Sequence, residues 1–150
     1  MDELMQNVYI NILSTIGKTS VPVETIEAIL KRLVSFGYAL NEVDSWMICF
    51  AIQKTENHIK NSCNTSAIPE GLLNTAVDMI CGEFLYTKKQ SGKLEIDGLD
   101  LTSAIKSISE GDTTVQFADG SSDVDRFDAL LNYLLHNGEG DFVCYRRLKW

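Results

Sequence analysis

Basic residues are in short supply in this 150-residue chain, and histidine is scarcer still. Thirteen Lys and Arg stand against 21 Asp and Glu, giving a formal net charge of −8. Nonspecific nucleic-acid binding needs phosphate contacts from Lys and Arg, so that class of function is disfavoured, although a surface that DNA slides past fits the charge. The two histidines, His58 and His136, have no metal-ligand partner at i+4 and read as surface residues. The four cysteines include no C-x-x-C pair. Cys49 and Cys81 lie within apolar helical patterns, where a reduced thiol behaves as a small hydrophobe. No apolar run approaches the length of a membrane span, and the opening MDELMQ is acidic, unlike a signal or transit peptide. The expectation is a soluble chain made in a cytoplasm.

Catalytic and nucleotide motifs are missing too. Gly17-Lys18-Thr19 imitates the end of a P-loop, but Ile12 stands where the first Gly belongs and a helix precedes it rather than a strand. Asp119 to Asp125 alternates oxygen ligands like a calcium loop, yet lacks the Gly at the sixth position and has Leu130 in place of the closing Glu. Asp78 and Glu83 are five apart in a helical pattern and do not share a face, a poor acid–base pair, so a hydrolase site assembled in space from Asp78, Glu83 and Asp112 stands only as a third reading. The expectation is a protein that is not an enzyme and carries no cofactor or metal.

What the chain does have is helical periodicity, in 45 % hydrophobic residues. Leu4, Val8, Ile12 and Ile16 mark a first helix that Gly17 stops. Ser20-Val21-Pro22 announces a second, with Ile26, Ile29, Leu30, Leu33 and Val34 as its stripe and Gly37 as its end. Asn41 suits the N-cap of a third, whose inward side reads as Val43, Trp46, Met47, Phe50 and Lys54 and which extends toward Lys60. A long fourth runs from about Pro69 to Lys89, roughly 30 Å, with Leu72, Ala76, Ile80 and Phe84 four apart. Leu94, Ile96, Leu99 and Leu101 then suggest a loop folded back on the bundle. Ala104–Ser109 and Thr113–Phe117 flank Glu110-Gly111-Asp112, and Val115 and Phe117 alternate with polar residues, so a β-hairpin is expected there. Asp123 is placed to cap a last helix with Phe127, Leu130, Leu131, Leu134 and Leu135 inward and Gly138 at its stop. The expected fold is therefore mainly α, a bundle of about five helices over residues 1–138, with a small hairpin at about 104–117 and an extended C-terminal tail over 139–150.

That tail reverses the composition, setting Arg146, Arg147 and Lys149 among Phe142, Tyr145, Leu148 and Trp150. Either it folds back on its own bundle or it supplies anchors for a partner, since aromatic and Arg residues dominate binding energy. Composition and pattern stop here, at an acidic, mostly helical domain with a sticky end.

A resemblance extends this reading. Ile68-Pro69, Ala76-Val77-Asp78-Met79 with Cys81-Gly82-Glu83-Phe84-Leu85-Tyr86, Ser107-Ile108-Ser109-Glu110-Gly111-Asp112-Thr113, Phe127-Asp128-Ala129-Leu130 and the closing Tyr145-Arg146-Arg147-Leu148-Lys149-Trp150 occur in a telling order and spacing. Together they make residues 68–150 resemble the head–tail connector (adaptor, head-completion) proteins of tailed bacteriophages and prophages. The resemblance implies a non-catalytic subunit of a ring, typically dodecameric, beneath the portal protein. Such a ring extends the DNA channel and receives the tail or a stopper at the virion neck, having been made in the host cytoplasm. It implies self-association through Ile108, Glu110, Gly111, Asp112, Val115 and Phe117, and portal docking through Phe142, Tyr145, Arg146, Arg147, Leu148 and Trp150, with an adjacent subunit as the other site on which this tail could dock. It implies neither specific nucleic-acid binding nor a membrane. The alternative is a small cytoplasmic helical module for protein binding or regulation.

Overall fold

The computed structural model describes residues 2–109 and 122–148, with backbone alone for residues 107–109. Helix α1 (Glu3–Thr15) starts where the Asp2 carboxylate accepts a hydrogen bond from the Met5 amide at 2.7 Å, and the chain turns at Gly17 with φ +67°. α2 (Val23–Ser35) follows Pro22, whose missing amide proton is no loss at a helix start. α3 (Asp44–Cys63) and α4 (Leu73–Gln90, entered through a 3-10 turn at Glu70–Leu72) are the two longest helices. α5 (Leu101–Ser109), α6 (Asp123–His136) and the single-turn α7 (Phe142–Tyr145) complete the order.

α4 is the hub, packed against α2, α3 and α6, while α1 covers α3 and touches α2. Its stripe is as the four-residue spacing requires, with Leu72, Ala76, Ile80 and Phe84 all fully buried. Phe36, Phe84 and Phe127 are the largest fully buried side chains, each worth roughly 1.5–3 kcal/mol of burial. Gly82 brings α4 and α6 together: a Cβ there would stand 2.9 Å from the Cβ of Leu134. The segment after α4 does fold back, with Leu94, Ile96 and Leu99 against the core and the Asp100 amide donating to the Phe36 carbonyl at 2.9 Å. Gly37, at φ +84°, is needed at that crossing, because a Cβ would come within 2.6 Å of the Asp100 amide.

Four expectations are corrected. The first arm of the hairpin is helix: Ala104–Ser109 belongs to α5, where Leu101 and Ala104 are buried at helical spacing, and the described residues contain no strand. The second arm, Thr113–Phe117, and the calcium-like loop at 119–121 lie outside the described residues. Ser122 rather than Asp123 caps α6, its hydroxyl accepting from the Asp125 amide at 3.1 Å. In α3 most of the expected inward face is turned out: Val43, Trp46, Phe50 and Lys54 are exposed, Met47 alone of that set packs half-buried against the core, and the helix runs past Lys60 to Cys63. Finally, the tail is not extended throughout. A 3-10 turn at Glu139–Asp141 and α7 precede it, and only from Arg146 does the backbone straighten.

Candidate docking surfaces

The C-terminal segment is fastened along one edge. Asn64 ends α3 in the left-handed region (φ 56°, ψ 47°), a position that Asn tolerates and that aims its amide at the tail. Its Nδ2 donates to the Arg147 carbonyl at 2.9 Å, and the Arg147 amide donates to the Cys63 carbonyl at 2.8 Å. Arg146 Nε donates to the Ser62 carbonyl at 3.2 Å, and the Cys63 thiol to the Phe142 carbonyl at 3.8 Å. Phe142 enters the core beside His58, with ring centroids 5.8 Å apart. The Tyr145 ring lies over Gly71, where any side chain would collide with it. A groove of about 480 Å³ runs between this segment and residues 65–69, lined by Ser66, Pro69, Cys144, Tyr145, Arg146 and Arg147.

The expected docking residues therefore divide. Phe142 is corrected to a core residue, since packing against α3 and His58 removes it from any partner's reach. Tyr145, Arg146, Arg147 and Leu148 remain outward, as does Val143, which sequence reasoning had left out. Trp150 lies outside the described residues. Of the expected subunit-interface set, Ile108 sits in the last turn of α5, and Glu110, Gly111, Asp112, Val115 and Phe117 lie outside the described residues.

The other end of α3 inverts the usual arrangement. Asp44, in its first turn, is 1 % exposed, while Val43, Trp46 and Phe50 are 68, 63 and 66 % exposed. Asp44 is inside because it is fully partnered. Oδ1 accepts from Lys88 Nζ at 2.9 Å, and Oδ2 accepts from the Tyr38 hydroxyl at 2.8 Å and the Asn41 amide at 3.0 Å. Lys88 is itself buried, and the Tyr38 ring meets Phe84 edge-on at 5.2 Å. Burial first, then the hydrogen bond and charge of Asp44, push the Tyr38 hydroxyl well above its ordinary value. With the carboxylate pinned inward, the helix repeat carries residues 43, 46 and 50 outward.

Other titratable groups are held in structural pairs. Asp78 meets Arg32 Nε at 3.2 Å on the α2 side of α4, and burial, opposed by Arg32, raises its carboxyl. Glu83 meets Lys54 Nζ at 2.5 Å on the α3 side, so the two acids point apart. Glu56 accepts from the Thr19 hydroxyl, which fastens the α1–α2 linker to α3. Both histidines are exposed and converge on one carboxylate oxygen of Glu139, at 3.4 Å from His58 and 3.3 Å from His136, beside a cavity of about 230 Å³. His136 and Glu139 are three apart and legible as a local pair; only the fold brings His58. Among the described residues no group of three His, Cys, Asp or Glu side chains is placed to hold a metal ion, and no helix is long and apolar enough to cross a membrane. All four thiols are free, with Cys49, Cys63 and Cys81 buried and Cys144 exposed. No family model, no curated protein and no solved structure matches this chain.

Proposed function

We propose that this chain is a structural subunit of the head–tail connector of a tailed phage or prophage. It is one copy of a ring, dodecameric in the family it resembles, that sits beneath the portal protein, extends the DNA channel and joins the head to the tail or a stopper. It is made in the host bacterial cytoplasm and works at the virion neck, without catalysis or a cofactor. The observation that supports this reading is the fastened C-terminal segment. Its backbone is tied to α3 in advance, while Val143, Tyr145, Arg146, Arg147 and Leu148 stay exposed to solvent. A strip ordered before contact loses little conformational freedom on docking, as a subunit that recurs around a ring requires. The acidic balance of the chain, −8, also suits a channel through which DNA slides without sticking.

The test is to mix the full chain with purified rings of the portal protein encoded beside it and to image the mixture by electron microscopy. Added ring-shaped density at one end of the portal is expected. Portals that stay bare at saturating concentrations of the chain overturn the reading.

A further inference from the structure

Two apolar surfaces stand at opposite ends of α3. At its start, Val43, Trp46 and Phe50 form a ridge at i, i+3 and i+7, one face of a helix. At its end, the fastened segment exposes Val143 at 73 % and Leu148 at 75 %. Seventeen residues separate Trp46 from Cys63, where the segment is tied down, so the two surfaces lie about 25 Å apart along the axis. One molecule cannot bring them together.

Their charges are opposite. Glu42 flanks the ridge and accepts from Asn7 Nδ2 at 3.1 Å, which brings up the start of α1 with exposed Asp2 and Glu3. Between Val43 and Gln53 the outward side of α3 carries no charge at all. At the other end Arg146 and Arg147 are exposed, and among the described residues neither forms an ion pair with a side chain. Aromatic side chains offer about 150–250 Å² each, so two that are two-thirds exposed, with Val43, present roughly 300–400 Å². That is the apolar centre of an interface of about 800 Å² per partner.

We infer that the ridge Val43–Trp46–Phe50 of one copy receives the outward side of the C-terminal segment, Val143 to Leu148, of the next copy, with Arg146 and Arg147 facing Glu42 and the acidic start of α1. The contact is heterologous, joining different surfaces of identical chains, and such a contact generates a ring where its rotation closes. It deepens the ring reading and rests on it, by naming which side of the subunit meets which. A ridge meeting another ridge leaves both arginines unmatched.

Complementation of two full-length variants tests this. Trp46→Glu spoils the ridge and leaves the segment intact. The triple variant Val143→Asp, Arg147→Glu, Leu148→Asp spoils the outward side of the segment and leaves the ridge, Phe142 and the Arg146–Ser62 hydrogen bond intact. All three positions and Trp46 are exposed, and equal thermal melting verifies that both variants fold. In sedimentation velocity up to about millimolar, the weak limit of useful affinity, wild type grows into oligomers. Each variant alone associates at least about 30-fold more weakly, as loss of a central anchor dictates. An equimolar mixture forms a heterodimer and stops there, because each contributes one good surface. The inference is overturned if wild type stays monomeric, if the segment variant dimerises alone, or if the mixture does not pair. Portal decoration is scored in parallel. Oligomers that leave portals bare sink the neck reading and keep this contact; portals decorated equally by wild type and both variants sink this contact and keep the neck.

Discussion

On the inner side of α3, Ile48, Ile52 and Ile59 are fully buried, whereas round the same helix Val43, Trp46 and Phe50 are about two-thirds exposed and Asp44 is enclosed. Hydrophobicity alone would have turned the tryptophan and phenylalanine inward. Removing a carboxylate from water is costly unless its oxygens are hydrogen-bonded and its charge is paired, and here Lys88, Tyr38 and the Asn41 amide do both. The comparison teaches that one satisfied charge can set a helix's rotation against the preference of its larger side chains. The aromatics are then left on a surface where the monomer gains nothing from them.

The comparison is broken most severely at its pivot. Asp44→Ala leaves the Lys88 ammonium buried and alone, and should cost about 3–5 kcal/mol in urea unfolding. Combining Asp44→Asn with Lys88→Met should recover most of that loss, since the buried charge goes with its partner. Next comes the inner face itself: Ile52→Ala opens a cavity in the fully buried layer and should cost about 2–5 kcal/mol by the same measurement.

Tyr38→Phe sharpens the electrostatic side. A hydrogen bond to a charged acceptor disappears, for an expected loss of about 1.5–3 kcal/mol at pH 7. The sign of the pH effect follows from the raised hydroxyl. The native phenol stays neutral while the unfolded one ionises near pH 10, so wild-type stability is intact below that pH and falls as pH climbs above it. The Phe variant should show a flatter decline between about pH 9.5 and 11. An equal slope in the two proteins would place Tyr38 outside the buried node.

The smallest effect belongs to the outer face. Phe50→Ala and Trp46→Ala should each shift monomer stability by no more than about 0.5 kcal/mol. A loss comparable to that of Ile52→Ala would mean that the ridge is covered within the monomer.

Much of the bundle was legible in the sequence because α2 and α6 each have one apolar stripe and a polar remainder, and α4 carries a wide apolar face centred on residues four apart. Leu72, Ala76, Ile80 and Phe84 admit a single rotation. In the first half of α3, by contrast, Val43, Trp46, Met47, Ile48, Cys49, Phe50, Ala51 and Ile52 crowd nearly every direction, so periodicity could not choose a face. The choice is made by Lys88, 44 residues away, which no local window contains. The hairpin was misread because Glu110-Gly111-Asp112 has turn composition, whereas Leu101, Ala104 and Ile108 already carried helical spacing. For the C-terminal segment, aromatic content was visible but its fastening was not. That depends on carbonyls of α3 and on the left-handed Asn64, whose conformation a sequence does not print.

The thiol beneath that fastening gives the molecule an internal clock. Cys144 lies in solvent and meets an alkylating reagent at once, whereas Cys49 and Cys81 are sealed in the helical core. Cys63 is fully buried and donates to the Phe142 carbonyl, with burial pushing its thiol up, so it reacts only after the C-terminal segment lifts away. Three reaction speeds thus correspond to three depths of opening, from none, through partial release, to whole-bundle unfolding. When the segment is clamped against another molecule, the middle speed alone should slow, turning a single cysteine into a counter of how often the join comes undone.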